Sequence, residues 1–264
     1  MEAFRSHVEW CRRHFPIVRL AEGIQRLRQG TLTSTHIALT FDDGDIGVER
    51  LAYPILQNLG APATLFLCGS FLDTRNVNWL LKVLHLIQGG HEAAVRTLFS
   101  CDEPHLVRAL RTSPDRRVYE RLDALDALWR QVALPPLGEV SLHRQFLRQD
   151  GGRLLDLGNH SLRHVKFSWL TYDEQVAEIT RNQEALSEFP NVRPLFAVPY
   201  GTPPDWNADT PKICQSLGLE FLSAHGGANR GDRPSVEVLR IGADHVAPGT
   251  FGDWFCMTVG EAMR

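Results

Sequence analysis

Two adjacent aspartates close an alternating apolar run at Thr40-Phe41-Asp42-Asp43-Gly44. Within His36-Ile37-Ala38-Leu39-Thr40-Phe41, the side chains of Ile37, Leu39 and Phe41 fall on one face, the pattern of a buried strand. Neighbouring carboxylates at the end of such a strand repel each other and lose hydration, which calls for a compensating cation. Matching ligands occur much later in the chain, at His160 and His164.

The run opens a strand–helix alternation. Val48, Leu51, Ile55 and Leu59 have helical spacing, with Pro54 bending or delimiting the helix and Gly60 and Pro62 ending it. Ala63-Thr64-Leu65-Phe66-Leu67-Cys68 follows at once, and strand, helix, strand with short joins reads as a βαβ unit with parallel strands. The rhythm resumes at Leu154–Gly158, Leu195–Val198, Leu219–Ser223 and Val236–Ile241. Between these strands, Thr171 and Glu174 form a capping box before a helix that turns Val176, Ile179, Leu186 and Phe189 inward. A short helix, Pro211–Leu217, starts with proline at its first position and ends at Gly218. The alternation predicts an α/β fold with a parallel sheet, and such folds carry their sites at the carboxyl ends of the strands. Residues 76–148 differ in texture: they are rich in Leu, Arg, Asp and Glu, carry helical patches such as Val118–Val132, and are broken by Pro104, Pro114, Pro135 and Pro136. They read as a helical insertion, a small subdomain or a lid.

Composition narrows the function classes. The 264 residues are 43% hydrophobic and 22% charged, with a net charge of −3. That balance gives no basic footprint for nucleic acid, and no apolar run is long enough to span a membrane. The five cysteines are scattered and form no Cys-x-x-Cys pair. They predict buried small hydrophobes rather than disulfides or a zinc knuckle. With no charged-then-apolar leader after Met1, the expected location is cytoplasmic.

His160-Ser161-Leu162-Arg163-His164 sets two imidazoles four residues apart. On one helical turn they share a face and can bind one zinc-like ion at about 2.0–2.1 Å. Taken singly, each element has a plainer explanation: solvated surface histidines, or an Asp-Gly turn with Asp42 capping a helix. A different chemistry, a metal–sugar-diphosphate site of a glycosyltransferase, would use Asp43-Gly44-Asp45. It leaves the histidines unexplained, and hard ions prefer oxygen. Phe196-Ala197-Val198-Pro199-Tyr200-Gly201 is the third element: a strand ending in Pro-Tyr-Gly, whose Tyr200 N–H can point into a cleft.

Together and in this order, the three elements resemble the polysaccharide deacetylase family (carbohydrate esterase family 4), over about His36 to Ile241. The resemblance implies a distorted (β/α) barrel, one catalytic domain spanning residues 1–264 with its insertion at about 76–148. It implies Asp43, His160 and His164 as metal ligands, Asp42 as general base and Tyr200 as oxyanion donor. One divalent ion is the expected cofactor, zinc first, with cobalt or nickel able to replace it. The expected substrate is an N-acetylated amino-sugar glycan, as in bacterial cell-envelope or exopolysaccharide metabolism. The chain departs from the family pattern in two places. Ala197 stands where the family commonly has an arginine that orients the base. The general acid is unassigned between His225, His245 and a histidine in a segment upstream of Met1. These departures motivate a second expectation, a weakly active or non-catalytic glycan-binding relative. Among Trp79, Trp169, Trp206 and Trp254, packing is the default role, and Trp206 is the foremost candidate for a groove wall.

Overall fold

The computed structural model describes residues 2–72, 76–224, 226, 228–230, 237–243, 250–251 and 255. Helices α1 (Glu2–His14) and α2 (Leu20–Arg28) precede strand β1 (Leu39–Phe41). Helix α3 (Tyr53–Leu59) leads to β2 (Ala63–Leu67). Six helices then fill the interval predicted as an insertion: α4 (Trp79–Gln88), α5 (Glu92–Phe99), α6 (Leu106–Thr112), α7 (Arg117–Glu120), α8 (Leu122–Gln131) and α9 (Arg144–Asp150). The chain closes with β3 (Leu155–Asn159), α10 (Tyr172–Leu186), β4 (Val192–Ala197), α11 (Asp209–Ser216), β5 (Glu220–Ser223) and β6 (Glu237–Leu239). The strands lie in the order β1-β2-β3-β4-β5-β6, every neighbouring pair parallel. This is the expected distorted (β/α) barrel, left open because β1 and β6 are its two edges.

Alternation along the strands builds the core on both sides of the sheet. Ala63, Leu65 and Leu67 of β2 pack outward with Val8 of α1, Leu56 of α3 and Leu147 of α9. Phe66 faces inward and meets Leu195, Ala197, Leu222 and Val238, with Leu20 and Ile24 of α2 completing this lining. Phe196 and Phe221 turn outward instead, into a cluster with Ile179, Ile213 and the insertion residues Trp79, Val83, Leu86 and Leu125. The insertion therefore shares a core with the barrel.

Several local expectations need correction. β1 is half-buried rather than buried, and Ile37 lies outside it in an isolated bridge to Ile17. The helix expected over 48–59 begins as a π turn, Val48–Ala52, before α3. Pro54 has no N–H to donate, and with the wider turn Val48 and Ile55 are buried as expected, Ala52 and Leu56 join them, and Leu51 is 50% exposed. Residues 118–132 form two helices, α7 and α8. Pro211 is the third residue of α11, not its first. The capping box at Thr171 and Glu174 is present in full. Cys11, Cys68 and Cys214 are buried free thiols, Cys101 is half-buried, and Cys256 lies outside the described residues. Among the described residues, no helix is long and apolar enough to cross a membrane.

Arg116 of the insertion holds the barrel directly. Its guanidinium donates to both Glu174 carboxylate oxygens, at 2.7 and 2.8 Å, and to the Trp169 carbonyl at 2.7 Å. These bonds lower the Glu174 carboxyl from the ordinary 4.5 to about 2. A carboxyl depressed on folding contributes stability that is complete above its unfolded value and is lost as pH falls through its folded value. Glu174→Gln should therefore flatten the loss of stability between about pH 4.5 and about pH 2. Urea unfolding of both proteins across that window checks this, with a cost at pH 7 of no more than about 1 kcal/mol because the pair is partly exposed.

Candidate active site

The chemistry-bearing side chains collect at one end of the barrel, where the strands run out. Asp42 and Asp43 follow β1, His160 follows β3, Tyr200 lies just beyond β4, and Arg240 follows β6. Backbone strain collects there too. Among the described residues, five non-glycine residues have positive φ, and four belong to this end: Asp43 (70°), Ser161 (64°), His164 (54°) and Tyr200 (63°). Such conformations cost free energy and persist only where surroundings enforce them. Gly201, also at positive φ, is needed for contact: a Cβ there would lie 2.5 Å from the Ala224 Cβ, closing the approach of the β4 and β5 loops.

The histidine pair reaches the site by a different route from the expected helical turn. Residues 160–166 form an irregular loop, since its amides bond to side chains rather than to carbonyls four residues back. Asn159 Oδ1 accepts the Ser161 N–H at 2.9 Å, and Ser161 Oγ accepts the His164 N–H at 3.0 Å. Glu178 Oε2 accepts the Leu162 and Arg163 N–H groups at 3.1 and 3.0 Å, while its Oε1 takes Arg163 Nε at 2.7 Å. Asn182 donates to Asn159 Oδ1 and to the Leu67 carbonyl, both at 2.8 Å, and accepts the Gly69 N–H at 2.6 Å. Glu178 and Asn182 share one face of α10 and are buried. This polar network fixes the loop.

The result is a compact ligand set. Asp43, His160 and His164 each offer one ligand atom, all within 4.8 Å of one another. Asp43 Oδ1 lies 3.2 Å from His160 Nε2 and 2.9 Å from His164 Nε2. That oxygen is itself buried and has no partner in hydrogen-bond geometry, although the side chain is 46% exposed. His160 Nδ1 lies 2.7 Å from the Ala197 carbonyl, which can only accept, so the proton sits on Nδ1 and Nε2 faces Asp43. One carboxylate and two imidazoles, aimed together and with an orphaned buried oxygen, fit a zinc-like divalent ion. Burial opposes the Asp43 charge, but the two imidazoles outweigh it and hold this carboxyl well below the usual range.

Asp42 stands beside this set. Its Oδ2 is 3.9 Å from His160 Nε2, and its Oδ1 accepts from Arg240 Nη1 at 2.6 Å. Burial raises the Asp42 pKa, but His160 and Arg240 together pull it below the ordinary value, so the group is ionised at neutral pH. The Tyr200 ring packs on His164, with centroids 4.8 Å apart, and its hydroxyl accepts Trp79 Nε1 at 3.1 Å. The Tyr200 N–H has no acceptor among the described residues. Trp79 and Trp169 are buried; Trp206 is half-buried and packs edge-on against Phe221. Asp45 does not join the set: its carboxylate accepts the Gly47 N–H at 2.6 Å, within the turn after β1. His225, His245 and Trp254 lie outside the described residues.

A family model described as polysaccharide deacetylase matches residues 29–129 and 146–222. The chain belongs to the polysaccharide deacetylase family. Solved structures agree on the fold. The Streptococcus pyogenes deacetylase PplD, in complex with acetate, is 15% identical with a TM-score of 0.62, covering 97% of this chain and 85% of that one. IcaB from Ammonifex degensii is 17% identical with a TM-score of 0.62, covering 95% and 85%. A de-N-acetylase from Aggregatibacter actinomycetemcomitans is 16% identical with a TM-score of 0.57, covering 94% and 87%. No curated protein sequence matches the chain.

This polysaccharide deacetylase family member uses residues at its site that the sequence reading did not single out. Arg240 fell within a predicted strand, and nothing in Leu239-Arg240-Ile241 signals a partner nearly 200 residues away. Glu178 and Asn182 had one available signal: polar residues placed between Val176 and Leu186 among the apolar residues that α10 turns inward. Glu178→Ala strips the acceptor from two half-buried amides and from Arg163. It should cost about 1–3 kcal/mol of stability in urea unfolding, because it leaves those donors without their acceptor.

Proposed function

We propose that this chain is a metal-dependent hydrolase that removes N-acetyl groups from an amino-sugar polysaccharide or glycoconjugate. The observation that carries the proposal is the convergence of Asp43, His160 and His164 around a buried, unpartnered oxygen, with the ionised Asp42 alongside. Family membership supports the deacetylase class, and the names of similar structures point the same way.

Asp43, His160 and His164 would hold the ion, with zinc the best match to the donor set. When bound, a divalent cation supplies Lewis acidity to the acyl carbonyl and to the water that adds to it. The chain's own groups do the rest. Asp42 accepts the proton of the attacking water; Arg240 holds one of its oxygens and leaves the other for that proton. The Tyr200 N–H donates to the acyl oxygen as negative charge develops there. The Ala197 carbonyl keeps His160 in the tautomer that presents Nε2. Hydrolysis consumes one water, breaks the amide C–N bond, and yields acetate and a free amino sugar.

Purified protein should contain one equivalent of divalent metal, and chelation should abolish acetate release from N-acetylated glucosamine oligomers, with zinc or cobalt restoring it. Absence of both bound metal and acetate release would contradict the proposal. Asp42→Asn should keep the metal and lower kcat about 10²- to 10⁴-fold. Full activity in that variant would remove Asp42 as the base, whereas unchanged glycan binding without turnover in the wild type would favour the binding-protein alternative. His160→Ala should lose both metal and activity; a glycosyltransferase using Asp43 and Asp45 would tolerate it.

A further inference from the structure

Among the described residues, the sheet is open between its first and last strands, and an ion pair crosses that opening. Among these same described residues, β1 and β6 are the edges of the sheet, with no ladder between them. Asp42 follows β1 directly, and Arg240 follows β6 directly. Arg240 Nη1 reaches Asp42 Oδ1 at 2.6 Å, joining residues 198 positions apart. The guanidinium is enclosed on its other sides. Its Nε donates to the Ser223 carbonyl of β5 at 3.3 Å, its face lies 5.2 Å from the Phe66 ring of β2, and its side chain is only 10% exposed. Its own carbonyl accepts the Gly226 N–H at 3.1 Å.

The space it occupies comes from the barrel lining. Phe66, Ala197, Leu222 and Val238 share the inner cluster, and Arg240 follows Val238 by two residues, on the same face of the chain. Ala197 contributes only a methyl group to that lining.

We propose that Arg240 is a positioning residue that ties the seam of the open barrel and, through the same contact, sets the orientation of the Asp42 carboxylate. A guanidinium fixed by β2, β5 and β6 holds one carboxylate oxygen and leaves Oδ2 directed toward the His160 side of the site, 3.9 Å from its Nε2. The carboxylate of an edge strand is thereby aligned by the opposite edge. Any displacement of β6 moves the base while leaving the three ligand side chains on β1 and β3 in place. The catalytic half of this inference rests on Asp42 acting as base; the seam does not.

Two measurements test it. In equilibrium unfolding, Arg240→Ala and Asp42→Ala should be strongly non-additive, because each removes the same contact; additive effects would overturn the seam pair whether or not the protein is an enzyme. In acetate-release kinetics, Arg240→Ala should lower kcat on the order of 100-fold with KM and bound metal retained. Added guanidinium at millimolar concentration should restore part of the lost rate, and Arg240→Lys should be intermediate. In the Asp42→Asn background the arginine substitution should cause no further loss. A kcat within a few-fold of wild type, or an equal loss in the Asp42→Asn background, would overturn the positioning role. A wild type that releases no acetate would instead defeat the proposed function, leaving the unfolding cycle to judge the seam.

Discussion

A carboxylate oxygen caught between two imidazole nitrogens sets the terms for the rest of this structure. Asp43 Oδ1 is buried, 2.9 Å from His164 Nε2 and 3.2 Å from His160 Nε2, and neither contact is a proper hydrogen bond. An arrangement of this kind costs free energy unless something lies between the donors. Two residues adopt left-handed backbone to create it, Asp43 and His164, and a third, Ser161, bends the loop between the histidines. The strain is opposed by a network that reaches back through Asn159 and Asn182 to the carbonyl of Leu67 and forward through Glu178 to Arg163. Removing any acceptor in that network leaves buried N–H groups unpaired, at about 1–3 kcal/mol each.

The site draws on the whole length of the chain, which is why an open parallel sheet serves it. β1, β3, β4 and β6 deliver the polar residues of the site at their carboxyl ends, and outward-facing residues of β2, β4 and β5 carry the core. The insertion belongs to this design. Trp79, at the start of α4, donates to the Tyr200 hydroxyl, and Arg116 clasps Glu174 at the start of α10. The helix that supplies Glu178 and Asn182 is thus held at its first turn by the insertion.

How much of this was legible beforehand depends on the range of the interaction. The βα rhythm, the capping box at Thr171 and the paired Asp and His motifs are local patterns, and each appears in the structure. The ligand set was readable because its residue types are chemically unusual at strand ends. The path of the chain between His160 and His164 was not, because spacing alone suggests a helical turn, while the loop is dictated by a carboxylate fourteen residues later, Glu178. The π turn at Val48–Ala52 keeps Val48 and Ile55 buried but puts Ala52 in place of Leu51, a substitution that periodicity cannot anticipate. Arg240 was invisible for a similar reason: Ala197 suggested that Asp42 had no arginine beside it, whereas a guanidinium arrives from the far edge of the sheet.

The central claim is that one carboxylate and two imidazoles, drawn together from β1 and β3, form a cation site. X-ray absorption spectroscopy of the zinc-loaded protein in solution tests it most directly. The account predicts an oxygen and nitrogen shell at about 2.0–2.1 Å with the outer scattering of two imidazoles. A shell containing sulfur at about 2.3 Å, or one lacking imidazole scattering, would contradict it.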